Sequence, residues 1–144
     1  MLPLLLALAA VQPAVATDNH ATLLAQSDAI DANFSAVRAK QVQVSYLALA
    51  DRARALGDAA VANALSAKAA YALVIQGRND EARLALVAIA HDAASTTATR
   101  SFAMQLLAYL NRPGDKLGVG SDAVPGGYHM ATHGLVGLSL AAQR

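Results

Sequence analysis

The sequence contains no cysteine and no tryptophan, and only two phenylalanines and four tyrosines occur among its 144 residues. The absence of cysteine excludes thiol catalysis, cysteine zinc sites, haem attachment through thioethers and a lipid anchor on an N-terminal cysteine. It does not identify the compartment, because a cytosolic protein and an exported protein without disulfides both fit it. The shortage of aromatic residues, beside 36 alanines, excludes an all-β fold, whose strands favour β-branched and aromatic side chains.

Charged residues are also scarce, at 15% of the chain, and they do not cluster by sign. Eleven lysines and arginines against ten acids give a net charge of +1. Binding to nucleic acid needs clustered cations opposite the phosphates, so we expect no nucleic-acid partner. Nine of the ten acids are aspartate, which suits helix starts and turns better than helix interiors. We therefore expect many of them to cap helices.

The first sixteen residues carry no charged side chain. An apolar run at residues 4–10 is followed by Pro13 and by the small pair Ala14 and Ala16. This arrangement predicts a signal peptide over residues 1–16, with cleavage after Ala16 and a periplasmic or secreted product. Because the run is shorter than the about 20 residues of a membrane helix, we expect no stable membrane span after its removal. The alternative is a buried N-terminal helix of the folded domain.

Two apolar stripes follow one another in the first part of a predicted helical hairpin domain, residues 17–111. The first consists of Leu23, Ser27, Ile30, Phe34, Val37, Gln41 and Val44, and the second of Val42, Tyr46, Leu49, Ala53 and Leu56. Their spacing predicts amphipathic helix, with Asp18 or Asn19 as the cap. Since the second stripe is rotated from the first, either the helix breaks near residues 40–43 or one helix presents two faces.

Glycine and aspartate divide the following region into helices. Gly57 is predicted to end a helix in the left-handed backbone conformation. Asp58 is predicted to cap the next helix, over residues 59–76, and Gly77 is predicted to end that helix in the same way. A third helix follows with Asn79 or Asp80 as its cap, and the uninterrupted apolar run at residues 84–90 predicts that most of its sides are buried.

A fourth helix is capped within residues 95–97 and has Phe102, Leu106 and Tyr109 on its core face. Turns of a few residues imply antiparallel neighbours, so the chain is predicted to be all-α and built from antiparallel helical hairpins.

The chain around Gly77 has small and aromatic residues before the glycine and an acidic helix start after it. These residues are Ala70, Tyr71, Ala72, Leu73, Gly77, Arg78, Asn79, Asp80, Glu81, Ala82 and Arg83. Together they resemble the turn of a tetratricopeptide repeat. In that family a helix with small and aromatic residues ends in glycine, and Asp-Glu-Ala opens its partner. The resemblance implies a TPR-like array of stacked hairpins whose concave face binds an extended peptide or another protein. The alternative is an unrelated bundle of four or five helices.

Residues 112–127 hold two prolines and five glycines, which predict a loop or linker. Residues 128–144 predict a further apolar helix, although Gly134 and Gly137 each cost about 1 kcal/mol relative to alanine. We expect this C-terminal helix either to dock on the preceding helices or to be truncated before a further repeat.

His129 and His133 are the pair best placed to carry chemistry. On a helix, their spacing puts two imidazoles on one face, close enough to share a zinc or copper ion. Met130 stands where zinc proteases have their catalytic glutamate, so that reaction is excluded. A third ligand would have to come from His20, His91 or Asp122.

No complete catalytic set accompanies this pair, so binding of a protein or peptide, without catalysis or a cofactor, is the leading hypothesis. Asp28 and Asp31 are interpreted as acids that complement a helix dipole. The alternative is a metal-binding or hydrolase-type site that uses His129 and His133. It draws on the loose similarity of residues 126–138 to the inner helices of α/α-toroid enzymes, which implies a fragment of a larger α/α enzyme.

Overall fold

The structure is a computed structural model that describes residues 19–111, and this part of the chain is all-α. Its elements are α1 (His20–Ala32), α2 (Ala39–Ala55), α3 (Ala59–Ile75), α4 (Asn79–His91) and α5 (Thr97–Leu110), with a 3-10 helix (Ala36–Arg38) before α2. Between residues 19 and 111 there is no strand. The predicted all-α fold of helical hairpins is confirmed. The predictions for residues 1–16, 112–127 and 128–144 lie outside the described residues.

The hairpins α2–α3 and α4–α5 have the most extensive contacts, and α3 also packs against α4. Helix α3 is the centre of this arrangement, since every residue from Val61 to Ile75 except Ser66 is buried. Helix α1 packs on α2 at one side. Much of the contact surface is alanine, and such short side chains let the helix axes approach closely.

Two apolar clusters form the core of the described region. The first joins α1, α2 and the first half of α3 through residues such as Leu23, Leu49 and Leu65. The second joins the second half of α3 to α4 and α5. Phe34 packs against both clusters, and its ring lies 5.4 Å from that of Tyr71. Full burial of one large aliphatic or aromatic side chain contributes roughly 1.5–3 kcal/mol, so these contacts dominate the stability.

The predicted turn residues act as expected. Asn19, Asp58 and Thr96 accept hydrogen bonds from the backbone N–H groups three residues later, at 2.9–3.1 Å. Gly57 and Gly77 both adopt φ = +77°, the left-handed conformation that favours glycine. The predicted helix caps and C-terminal glycines are thus confirmed. They could be predicted because the interactions that specify them involve residues close together in the sequence.

The break between the first two helices comes earlier than predicted. α1 ends at Ala32 and α2 begins at Ala39, so the chain breaks before residues 40–43. The residues of the second apolar stripe are buried from Val42 to Ala53. The prediction that the first stripe continues beyond Phe34 is wrong, since Val37 and Val44 are exposed. The reason is that Phe34 packs into the core at the bend, and α2 starts with a new orientation.

Helix α4 differs from its prediction in two ways. It starts at Asn79 itself, and the preceding residue Arg78 makes no side-chain capping bond, so the predicted Asn79 or Asp80 cap is wrong. The turn at Gly77 places the helix start early, because the Arg78 N–H already bonds to the Leu73 carbonyl at 3.0 Å. The helix is also not buried on most sides, since 76% of Leu84 is exposed. Its neighbours α3 and α5 cover only one side.

Candidate functional site

A groove of about 380 Å³ runs between α2 and α4, with α3 as its floor. The floor contributes Ala69, Ala70 and Leu73, the α2 wall contributes Gln43, Leu47 and Arg54, and the α4 wall contributes Ala85, Ala88 and Ile89. Asn63, Ser66 and Asp92 close one end. The alanines keep the groove open, because they place no atom beyond Cβ into it.

The rims of this groove expose aliphatic side chains. Leu47 lines the α2 wall and is 40% exposed, and Val44 lies one turn earlier on the same helix. On α4, Ala88 is exposed in the wall and Leu84 is exposed one turn before it. Contiguous apolar groups on the surface of a protein mark sites of contact with partners or ligands. The groove and its rims form such a surface.

Both walls come from helices with the same pattern of burial. α2 and α4 repeat the same order of buried and exposed positions 40 residues apart, so that Tyr46 corresponds to Leu86 and Leu49 to Ile89. Each helix buries one side against its hairpin partner and leaves an aliphatic side open. The groove is thus the space between two structurally equivalent helices of neighbouring hairpins.

The Asp92 end of the groove is a fixed polar network. The Asn63 amide donates to the Asp92 Oδ2 atom at 3.0 Å and to the Ser95 Oγ atom at 3.1 Å, and Ser95 donates to the Ile89 carbonyl at 2.7 Å. The Ala94 N–H donates to the Asp92 Oδ1 atom at 2.9 Å. This backbone bond, followed by the Asn63 bond, lowers the pKa of Asp92. The carboxylate is therefore charged at neutral pH and already has hydrogen-bond donors.

The other polar groups of the groove also have partners. Arg54 donates to Asp51 at 2.9 Å and to Ser66 at 3.1 Å. At the opposite end, the side-chain Oε1 atom of Gln43 accepts hydrogen bonds from Gln76 Nε2 and from the Arg78 guanidinium, each at 3.2 Å. Among the described residues that line the groove, only Arg54 and Asp92 are charged, so the middle of this lining is uncharged. Such a lining favours an apolar ligand, because a charged group would lose hydration without gaining a partner.

A second cluster, buried beneath α1, is built around Lys68. Its side chain is fully buried, and its Nζ atom lies 2.6 Å from Asp31 Oδ2 and 3.1 Å from Ser27 Oγ. The Tyr46 hydroxyl donates to the other oxygen of Asp31, and the ammonium lies 5.7 Å from the Tyr46 ring centroid. Burial, and then the hydrogen bond to Asp31 and its charge, raise the pKa of Tyr46 well above its usual range.

This Lys68 cluster joins α1 to α2 and α3 and does not line the groove. A serine beside a lysine is a nucleophile and base in some hydrolases, but Ser27 and Lys68 are both fully buried. Substrate therefore does not reach them, and the cluster is structural. The dipole role predicted for Asp31 is wrong, since Asp31 lies in the last turn of α1 and pairs with Lys68.

The residues considered as metal ligands are not brought together in the described region. His20 pairs with Asp58 at 2.9 Å, and His91 contacts the Val87 carbonyl of its own helix at 2.9 Å. Within residues 19–111, no group of three or more His, Cys, Asp and Glu side chains is arranged to hold a metal ion. His129, His133 and the third-ligand candidate Asp122 lie outside the described residues.

Comparison with known proteins found no match: no protein family, no curated protein and no solved structure is similar to this chain. None of the helices between residues 19 and 111 is long and apolar enough to cross a membrane.

Proposed function

We propose that the protein is an exported helical scaffold that binds a protein or peptide partner in the groove between α2 and α4. The observation that carries this proposal is the alanine-floored groove with an uncharged middle, in which Leu47 is exposed on the α2 wall and Ala88 on the α4 wall. Its volume corresponds to roughly a dozen water molecules at about 30 Å³ each, which is enough for a few aliphatic side chains. The partner is an apolar peptide segment, and release of water from both apolar surfaces drives its binding.

The arrangement of helices supports the same proposal. Two hairpins with equivalent walls, and the resemblance of the turn at Gly77 to tetratricopeptide repeats, are both typical of scaffolds that bind extended segments. The polar groups at the ends of the groove already have hydrogen-bond partners, so the groove offers its apolar middle to a ligand. Binding by surface complementarity is the function that these residues support best.

Replacing Leu47 with glutamate is expected to weaken the affinity for apolar peptides by at least about tenfold, which corresponds to a loss of about 1.4 kcal/mol of binding free energy. The charge stands on the α2 wall and loses hydration when a peptide covers it. Titration of the full chain with apolar peptides selected from a random library measures the effect.

Val37→Glu is the matched control, because it adds the same charge at a 97% exposed aliphatic residue outside the groove. It is expected to bind selected peptides like the wild type. Equal loss in both variants, or no loss in Leu47→Glu while circular dichroism shows both folded, contradicts the proposal.

Export is tested by the mass of the secreted product. When the full chain is expressed in a bacterial host, the intact mass is expected to correspond to residues 17–144. Ala16→Leu is expected to slow processing, because the peptidase requires a small residue before the cleaved bond, whereas Ala9→Leu in the apolar run leaves processing unchanged. Recovery of folded protein that still begins at Met1 contradicts this part of the proposal.

A further inference from the structure

A second cavity, of about 320 Å³, opens between the end of α1 and the start of α2. Ala29, Ile30 and Val42 supply its apolar lining, and Arg38 and Gln41 supply polar side chains. We call this cavity the Arg38 pocket. The residues of α2 that line it are not those that line the groove, so the two sites are separate.

Arg38 differs from the other five arginines within residues 19–111. Each of those five donates to a carboxylate, an amide oxygen or a backbone carbonyl. The guanidinium of Arg38 makes no ion pair and no hydrogen bond with any residue of this part of the chain. All of its N–H groups are therefore open to a ligand in the pocket.

Gln41 provides a second open donor in the same cavity. It comes three residues after Arg38, a spacing that places two side chains on one side of a helix. Its carboxamide has no hydrogen-bond partner among residues 19–111. The two remaining polar lining residues, Asn33 and Ser45, instead donate to carbonyl oxygens one turn earlier on their own helices, at 2.9 and 3.1 Å.

The charge of the Arg38 pocket is not balanced by its own lining. No aspartate or glutamate is among the described residues that line it, so the guanidinium is its only charged group. A planar carboxylate matches a guanidinium because two parallel N–H groups can donate to its two oxygens. One guanidinium balances one negative charge, and the apolar lining can cover an aliphatic chain.

We propose that the Arg38 pocket binds a carboxylate group that carries a short aliphatic chain. Arg38 donates two hydrogen bonds to the carboxylate, Gln41 donates a third, and the chain packs on Ile30 and Val42. A free short-chain acid and the C-terminal residue of a peptide both present this chemistry. The site does not depend on the proposed function, because it shares no lining residue with the groove.

Titration of the isotopically labelled full chain with butyrate, followed by NMR at physiological ionic strength, tests the site. The side-chain amide signals of Asn33 and Gln41 are expected to shift and to saturate. Butyrate is expected to bind at least about tenfold more tightly than butyramide, which has nearly the same shape but no charge for the guanidinium. It is also expected to bind several-fold more tightly than acetate, because two more carbon atoms become buried.

Three variants separate the paired guanidinium from general attraction of anions. Arg38→Gln is expected to weaken butyrate binding by at least about tenfold, and Arg38→Lys by about threefold, since lysine keeps the charge without the planar fork. Lys40→Gln is the matched control, because it removes the same charge from an exposed residue outside the pocket. Its affinity for butyrate is expected to stay within about twofold of the wild type, since exposed charges are screened by salt.

Arg38 and Lys40 are both exposed, so all three variants are expected to fold, and circular dichroism verifies this. Equal binding of butyrate and butyramide, or equal losses in Arg38→Gln and Lys40→Gln, overturns the proposal. Shifts that never saturate also overturn it. A short peptide that ends in valine, compared with its C-terminal amide, identifies the source of the carboxylate. Binding of the free-ended peptide about tenfold tighter than butyrate supports a peptide C-terminus, and weaker binding than butyrate supports a free acid.

Discussion

Replacing Asp31 with alanine is expected to lower the free energy of unfolding by about 3–5 kcal/mol, because it leaves one partner of a buried ion pair alone. Lys68 is fully buried, and Asp31 is the only acid within 4.0 Å of its ammonium among the described residues. The variant also removes the acceptor of the buried Tyr46 hydroxyl. Since Asp31 comes from α1, its loss is expected to loosen α1 from α2 and α3.

The controls for Asp31→Ala separate the buried pair from a general loss of charge. Asp51→Ala removes a 79% exposed carboxylate that pairs with Arg54, and its effect is expected to stay within about 0.5 kcal/mol. Lys68→Met is expected to cost less than Asp31→Ala, because Asp31 is 19% exposed and keeps the Tyr46 hydroxyl as a donor. Urea unfolding measures all three, and equal stability of Asp31→Ala and Asp51→Ala contradicts the account.

Replacing Ala53 with leucine is expected to lower the free energy of unfolding by about 1–3 kcal/mol. Ala53 is fully buried in the cluster where α2 meets α3, together with Ala50, Ala62 and Ala64. Protein interiors are close-packed, so three added carbon atoms force either the side chains or the two helices apart. The close approach of α2 and α3 depends on the small size of these residues.

The matched control is Ala48→Leu, which makes the same change on the exposed side of the same helix. Its stability is expected to lie within about 0.5 kcal/mol of the wild type, because leucine and alanine are both good helix formers. Thermal and urea unfolding of the two variants give the comparison. An Ala53→Leu variant as stable as Ala48→Leu contradicts the close packing of α2 on α3.

Local signals in the sequence were enough to predict most helix ends. Gly57 and Gly77 require a left-handed backbone, and Asp58 and Thr96 satisfy free N–H groups within three residues of themselves. Such interactions are read directly from neighbouring residues. The bend after Ala32 was misplaced because it depends on Phe34, whose contacts come from distant parts of the chain.

The candidate site was not predicted, because its parts meet only in three dimensions. The apolar sequence of residues 84–90 predicts a buried helix segment. Leu84 is nevertheless exposed, because α4 has neighbouring helices on one side only. Lys68 carried a usable signal, since it is the one charged residue of α3. Its partner Asp31, however, is 37 residues earlier, and nothing in the local pattern connects them.

The central claim, that the groove between α2 and α4 is where a partner binds, is tested most directly by methyl NMR of the full chain. Addition of a captured apolar peptide is expected to shift the methyl signals of Leu47, Ala70 and Ala88 and to leave that of Val37 unchanged. These three residues line the groove, whereas Val37 lies outside it. Shifts confined to residues elsewhere, with the three groove methyls unmoved at saturation, would contradict the account.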